Sequence, residues 1–144
     1  MRKFLTVIFI TMTFVSCGQK RPPIDKDKER INNVCDTFMK MFVDGKTSEA
    51  LELLKRNTVM TSSSIDTLEV TMANHINQYF PLYGKLLSSD FITERKIKDF
   101  IATRFYVLRF EKYYLKFGFT LYKTNTGWTV TNFKYDEELA ELLQ

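Results

Sequence analysis

The spacing of apolar residues changes midway along this 144-residue chain, and that change constrains the fold more than any other feature of the sequence. In residues 25–83 apolar side chains recur at three- and four-residue steps, whereas in residues 101–135 they alternate in steps of two. The first spacing places side chains on one face of a helix, and the second places them on one face of a strand. The sequence therefore predicts an α+β domain, with helices first and a curved antiparallel sheet of about four strands after them.

Three helices are predicted in the first half. The first begins at Asp25 and ends near Gly45, a second and shorter one follows residues 47–48, and a third runs from about residue 63 to Gly84. The apolar face of the first helix consists of Ile31, Val34, Cys35, Phe38, Met41 and Phe42. Because Cys35 belongs to this face, we expect a buried and inert thiol.

Four strands are predicted in the second half. The clearest occupies residues 113–122, with residues 101–110 as its partner and residues 86–98 as a more polar edge strand. The inward row of the strand at residues 113–122 is Leu115, Phe117, Phe119 and Leu121. The last strand runs from Trp128 to Tyr135, and its apolar pattern skips one residue, as a β-bulge would cause.

The first 16 residues have the pattern of a secretory signal peptide. Arg2 and Lys3 precede a run of about a dozen apolar or threonine residues, which is shorter than the roughly 20 needed to span a bilayer. The run ends at Phe14-Val15-Ser16-Cys17, which resembles the lipobox of bacterial lipoproteins, although Phe14 replaces the more common leucine. The alternative is an ordinary signal peptide that happens to be followed by a cysteine.

The lipobox resemblance implies that the Cys17 thiol receives a diacylglycerol and that Cys17 becomes the new N-terminus. The expected organisation is a signal peptide at residues 1–16, a lipidated tether at 17–24 and a single domain at 25–144. Acyl chains would then hold the domain at a membrane of the bacterial cell envelope. The tether is basic rather than acidic, with Lys20 and Arg21, and we expect the domain to face the periplasm.

The charge balance gives little support for nucleic-acid binding. The full chain has 21 basic and 17 acidic residues, a formal charge of +4, and removal of Arg2 and Lys3 with the signal peptide leaves +2. A nucleic-acid-binding domain of this size usually has a larger basic excess. We therefore expect no nucleic-acid partner.

The order of predicted elements resembles the nuclear transport factor 2-like superfamily over residues 26–136. Two local stretches contribute to the resemblance, Tyr83-Gly84-Lys85-Leu86 before the first strand and Gly127-Trp128-Thr129-Val130 at the start of the last. The chain is similar, more narrowly, to small bacterial envelope domains of that fold. The resemblance implies a cone whose open end holds a small ligand in some members, and whose enzymatic members place Asp, Tyr or His inside it.

No catalytic constellation is visible in the sequence. The inward row of the long strand has no acidic residue, and Asp90, Glu94, Asp99 and Glu111 fall in polar stretches or turns. His75 is the only histidine, so no second histidine or nearby cysteine completes a metal site, and we expect no metal or cofactor. Two roles are open for His75: a hydrogen-bonded histidine at the edge of the core, or a general acid or base in a pocket.

Two surfaces are candidates for binding. The mouth of the expected cone would bring together His75, Tyr79, Tyr83 and Trp128. The outward sheet face would carry Tyr114, Lys116 and Tyr122 with Arg104 and Tyr106 beside them, a mixture of aromatic and cationic side chains that suits a protein or glycan contact. A solvated face, or one covered in a homodimer, is the alternative for this second set.

The sequence favours a membrane-tethered domain that binds a protein or a small ligand without catalysis. The alternative is a small-molecule enzyme or carrier that uses a pocket near His75 and Tyr79. Ligand and partner are not specified by any motif.

The Cys17→Ser variant tests the lipid anchor. It should lose all lipid labelling and move from the membrane fraction to the soluble fraction, because the acyl chains have no thiol to which they can attach. Cys35→Ser is the matched control and should be labelled like the wild type. Membrane association of Cys17→Ser at the wild-type level would contradict the anchor.

Overall fold

A computed structural model describes residues 25–143 of the chain. The predicted signal peptide, Cys17 and the predicted tether lie outside the described residues. In chain order the elements are the helices α1 (Lys26–Val43), α2 (Thr47–Lys55) and α3 (Ser62–Tyr83), the strands β1 (Leu86–Ile97), β2 (Ile101–Phe110), β3 (Tyr114–Thr124) and β4 (Gly127–Asp136), and a 3₁₀ turn (Ala140–Leu142). The prediction of an α+β domain with helices before strands is confirmed.

The helices α1 and α3 begin at side-chain caps, whereas α2 begins without one. Asp25 accepts a hydrogen bond from the backbone N–H of Lys28 at 3.1 Å, and Thr61 caps α3 by accepting from Ser64 N–H at 3.2 Å. Gly84 follows α3 with a φ of 82°, a conformation that glycine adopts without strain. Pro81 lies within the last turn of α3, where it removes only one backbone donor, and the helix ends two residues later.

The four strands form one antiparallel sheet in the order β1-β2-β3-β4. The polar strand β1 is at one edge, as predicted, and β4 is at the other. The skipped residue in the last strand is also confirmed, because the β3–β4 register shifts between Thr120 and Leu121 and leaves Thr131 as the extra residue. Two further register shifts fall in β1, where Leu87 and Ile92 are the extra residues relative to β2.

The three helices are linked to the sheet through one aromatic core. The ring of Phe38 in α1 lies 5.2 Å from that of Phe119 and 5.0 Å from that of Phe133. The predicted inward row of β3 is buried in this core, and so is Cys35. Burial raises the pKa of the Cys35 thiol to about 12, so the thiol stays protonated. No helix within residues 25–143 is long and apolar enough to cross a membrane.

Replacement of Phe38 by alanine should destabilise the domain by about 3–5 kcal/mol, because it removes a fully buried ring and leaves a cavity in the core. The measurement is urea denaturation followed by circular dichroism. Val70→Ala, on the exposed side of α3, is the control and should change the free energy of unfolding by less than about 0.5 kcal/mol. Equal effects of the two substitutions would contradict the packing described here.

Candidate functional site

The structure places the residues predicted for the mouth of a cone at two separate locations. His75, Tyr79 and Tyr83 lie together along the C-terminal half of α3, with ring centroids 4.8 Å and 6.2 Å from His75. Trp128 lies at the N-terminal end of α1 instead, where its indole N–H donates to Asp25 at 3.1 Å. The four residues therefore do not form one pocket.

His75 borders an open cleft of about 540 Å³ between α3 and β4. Its Nε2 is 3.4 Å from the Tyr83 hydroxyl, and the Tyr135 ring contacts it edge to face at 5.5 Å. Burial lowers the pKa of His75, and the carboxylate of Glu137 opposes this only in part, so the ring is neutral at neutral pH. Behind the cleft the interior is filled by aromatic side chains, among them Phe42 and Phe117.

The five residues predicted for the outward sheet face lie on two different faces. Tyr114, Lys116 and Tyr122 are on the outer face, but Arg104 and Tyr106 are on the inner one, in line with the core residues Ala102 and Leu108. The reason is the two-residue period of β2, which places even-numbered positions towards the helices.

Lys116 is on the outer face but is not accessible. Only 1% of its side chain is exposed, and its ammonium group is 3.0 Å from Asp136 and 2.7 Å from Glu141 of the C-terminal 3₁₀ turn. Glu141 also contacts Lys134 at 2.9 Å, and the hydrogen bonds from these two lysines lower its pKa to about 2. The C-terminal segment therefore covers this part of the outer face.

Arg104 is the centre of a charged cluster between α1 and the sheet. Its guanidinium donates to Asp36 of α1 at 2.9 Å, to Glu94 of β1 at 3.2 Å and to the Tyr106 hydroxyl at 2.9 Å. The Tyr106 hydroxyl donates in turn to the same oxygen of Asp36. Lys28 of α1 completes the cluster by donating to Glu94 at 2.6 Å. These five residues are called the Arg104 cluster below.

The ionisation states in the Arg104 cluster are held by mutual contacts. Burial disfavours the charged form of Glu94, but the hydrogen bond and positive charge of Lys28, followed by those of Arg104, lower its pKa overall. Burial and the hydrogen bond to Asp36 raise the pKa of Tyr106, so its hydroxyl stays protonated as a donor. Burial alone would lower the pKa of Arg104, but its contacts with Tyr106 and Asp36 raise it overall.

A groove of about 350 Å³ lies between α1 and β1, directly beside the Arg104 cluster. The exposed ring of Phe91 stands over the guanidinium of Arg104, 4.4 Å from ring centroid to guanidinium carbon, and contacts the ring of Tyr106. The groove is lined by Asp36, Met39, Lys40, Val43, Asp44, Ser89, Phe91 and Tyr106. The groove therefore combines apolar side chains with a rim that carries both positive and negative groups.

Sequence reasoning missed Asp36, Phe91 and Glu94 as members of a site. Glu94 falls in a polar stretch of the sequence, and a regular two-residue alternation would place it on the face opposite to Phe91. The extra residue Ile92 reverses that alternation: Phe91 pairs with Tyr106 and Glu94 pairs with Arg104, so both point to α1. A β-bulge inside a polar strand leaves no mark in the apolar pattern.

Metal ligands do not converge in the described part of the chain. Between residues 25 and 143 no group of three or more His, Cys, Asp or Glu side chains is arranged to hold a metal ion. The Arg104 cluster and the groove place hydrogen-bonding groups of fixed orientation next to exposed apolar surface. Such a surface is suited to recognition of a binding partner.

The Glu94→Gln variant tests the charge pairing in the Arg104 cluster. It should lower the free energy of unfolding by about 2–3 kcal/mol at pH 7, because Lys28 and Arg104 lose a largely buried counter-charge. The pKa of Glu94 is lower in the folded state than its ordinary value of 4.5, so this stabilisation is complete above pH 4.5 and disappears as the pH falls through the folded pKa.

Urea denaturation from pH 7 down to pH 3 measures this difference. The gap between wild type and Glu94→Gln should narrow on acidification, whereas Glu138→Gln, an exposed change in the C-terminal segment, should match the wild type throughout. A gap that is independent of pH would contradict an ionised Glu94.

Comparisons with models of protein families, with curated proteins and with solved structures found no match. The groove between α1 and β1, supported by the Arg104 cluster, is the candidate functional site on the geometry of its own residues.

Proposed function

We propose that this protein is a lipid-anchored protein of the bacterial cell envelope whose domain binds an extended segment of a partner protein in the groove between α1 and β1. The observation that carries the proposal is the edge position of β1 among the described strands, next to that groove. Three properties support it: an available backbone edge, an exposed aromatic anchor and a rigid setting.

The backbone of β1 is available along one side. Among the described strands β1 pairs only with β2, so the backbone N–H and C=O groups on its other side have no strand partner. An extended peptide adds to such an edge through main-chain hydrogen bonds, while its side chains enter adjacent pockets. At 12 residues, β1 is long enough for several such bonds.

The side chains of the groove supply selectivity. Phe91 has 49% of its surface exposed, and Met39 and Val43 lie across from it on α1. These three residues suit an apolar side chain of the bound segment. Asp36 and Asp44 at the rim suit a basic residue next to it, since opposite charges at an interface rim improve specificity and association rate.

The Arg104 cluster keeps the groove in a fixed shape. Asp36 on α1 and Glu94 on β1 bind the same guanidinium, so this contact spans the two walls of the groove. A site that is ordered before binding loses less conformational freedom when its ligand arrives, which favours affinity. The buried ionisable groups thus act in positioning rather than in proton transfer.

The assignment of this fold to the nuclear transport factor 2-like superfamily is part of this proposal. Three helices before an antiparallel four-stranded sheet, with a bulged last strand, are consistent with the resemblance found in the sequence. The filled interior moves the expected binding site from the inside of a cone to the groove at its edge.

Peptide selection from a displayed library of extended segments tests the proposal. Phe91→Ala should weaken a selected peptide by about 30-fold, because the truncated ring is an exposed aromatic anchor of the kind that dominates interfaces. Asn132→Ala on the outer face of β4 is the control and should leave the dissociation constant unchanged. Amide hydrogen exchange should slow in β1 on binding.

Three results would count against this assignment. No selected peptide, equal affinity in Phe91→Ala and wild type, or protection confined to other strands would each contradict binding at β1. A concentration-dependent dimer that is lost in Phe91→Ala would show that a second copy of the chain occupies the edge instead.

The cleft beside His75 supports a second candidate function, binding of a small and mainly apolar molecule. The observation that favours it is the neutral imidazole held 3.4 Å from the Tyr83 hydroxyl at a cleft of about 540 Å³. A small-molecule screen read by the amide chemical shifts of α3 and β4, with His75→Ala as control, would identify such a ligand. Hits whose affinity does not depend on His75 would contradict this second function.

A further inference from the structure

The hairpin between β1 and β2 ends in an exposed apolar tip flanked by lysines. Ile97 has 63% of its surface exposed and Phe100 has 41%, while Lys96 and Lys98 are both exposed beside them. These four residues are called the hairpin tip. Apolar side chains next to lysines are typical of surfaces that lie in the interface of an anionic membrane.

Further positive charge surrounds the hairpin tip. A pocket of about 320 Å³ is lined by Asp25, Lys28, Lys96, Lys98, Asp99, Lys123 and Trp128. Asp25 is already bound to Lys123 at 2.9 Å and to the Trp128 indole at 3.1 Å, while Asp99 is exposed. Lysines outnumber aspartates four to two among the pocket residues, and Glu94 pairs with Lys28 at 2.6 Å and with Lys96 at 3.4 Å. With Glu94 counted, one positive charge remains in excess, and it attracts an anionic headgroup.

The chain enters the domain at this same end. Asp25, the first described residue, contacts Lys123 of β3, and the backbone N–H of Lys123 donates to the carbonyl of Phe100 at 2.8 Å. Only seven residues separate Cys17 from Asp25, which is eight Cα–Cα steps and a distance of at most roughly 29 Å for an extended chain. The opposite end of the domain, at Tyr113 and Leu82, is about 30 Å further from Asp25, given the length of β2.

We propose that the hairpin tip docks on the surface of an anionic phospholipid bilayer, the one to which Cys17 anchors the chain. Ile97 and Phe100 enter the headgroup region, and Lys96, Lys98 and Lys123 contact phosphate groups. The inference rests on the lipid anchor of the proposed function and adds an orientation to it. The domain then stands on the membrane with the β2–β3 turn directed away from it.

Fluorescence quenching in vesicles tests this orientation. The lipidated protein carries a fluorescent probe at Ile97→Cys or, as a control, at Leu82→Cys at the far end of the sheet. Cys35 is buried and stays unlabelled. With a spin-labelled lipid in phosphatidylcholine vesicles that contain phosphatidylglycerol, the probe at position 97 should be strongly quenched and the probe at position 82 should not.

Charge variants give the second measurement. Each lysine contributes about fivefold to contact with an anionic surface, so Lys96→Gln with Lys98→Gln should reduce the ratio of docked to free tip by roughly 25-fold. Lys85→Gln with Lys112→Gln, at the opposite end, is the matched control and should quench like the parent. Salt at 1 M, where the Debye length is about 3 Å, should also weaken quenching while the anchor stays in place.

The outcomes separate the two claims. Acylated protein that incorporates into vesicles with no quenching at position 97, or with equal quenching in vesicles of phosphatidylcholine alone, overturns the docked orientation and leaves the anchor standing. Stronger quenching at position 82 than at position 97 overturns it as well. If mass spectrometry finds no acyl group on Cys17, the anchor fails and this inference fails with it.

Discussion

The ion pairs of Arg104 are the interaction on which the candidate site depends. A partly buried guanidinium must be compensated, and here the compensation comes from two elements at once, Asp36 on α1 and Glu94 on β1. Phe91 is held over the same group and Tyr106 is oriented by it. The contact between the two walls of the groove and the placement of its aromatic anchor therefore both involve one charged residue on the inner face of β2.

The apolar pattern was sufficient to predict much of the fold. The helix face around Phe38, the inward row of β3 and the bulge near Thr131 all follow from spacing, because burial selects apolar side chains at regular steps. The candidate site was not predictable in this way. Arg104 and Lys116 are cations that tertiary contacts bury, and Glu94 changes face through the extra residue Ile92.

The domain presents different chemistry at its two ends. Towards the chain entry lie lysines and the exposed Ile97, and at the far end lie the rings of His75, Tyr83 and Tyr113. The groove runs between α1 and β1 along the side. In the proposed arrangement one end contacts lipid and the side receives a partner segment, so membrane attachment and binding do not compete for the same residues.

The two extra residues of β1 limit how another strand can approach its edge. Leu87 and Ile92 interrupt the regular pleat, so a long, flat strand cannot pair along the whole of β1. Only short segments find an uninterrupted register, at residues 88–91 or at residues 93–97. Such an irregular edge disfavours the open-ended stacking that leads to fibrils, and in the proposed function it selects partners by length as well as by side chain.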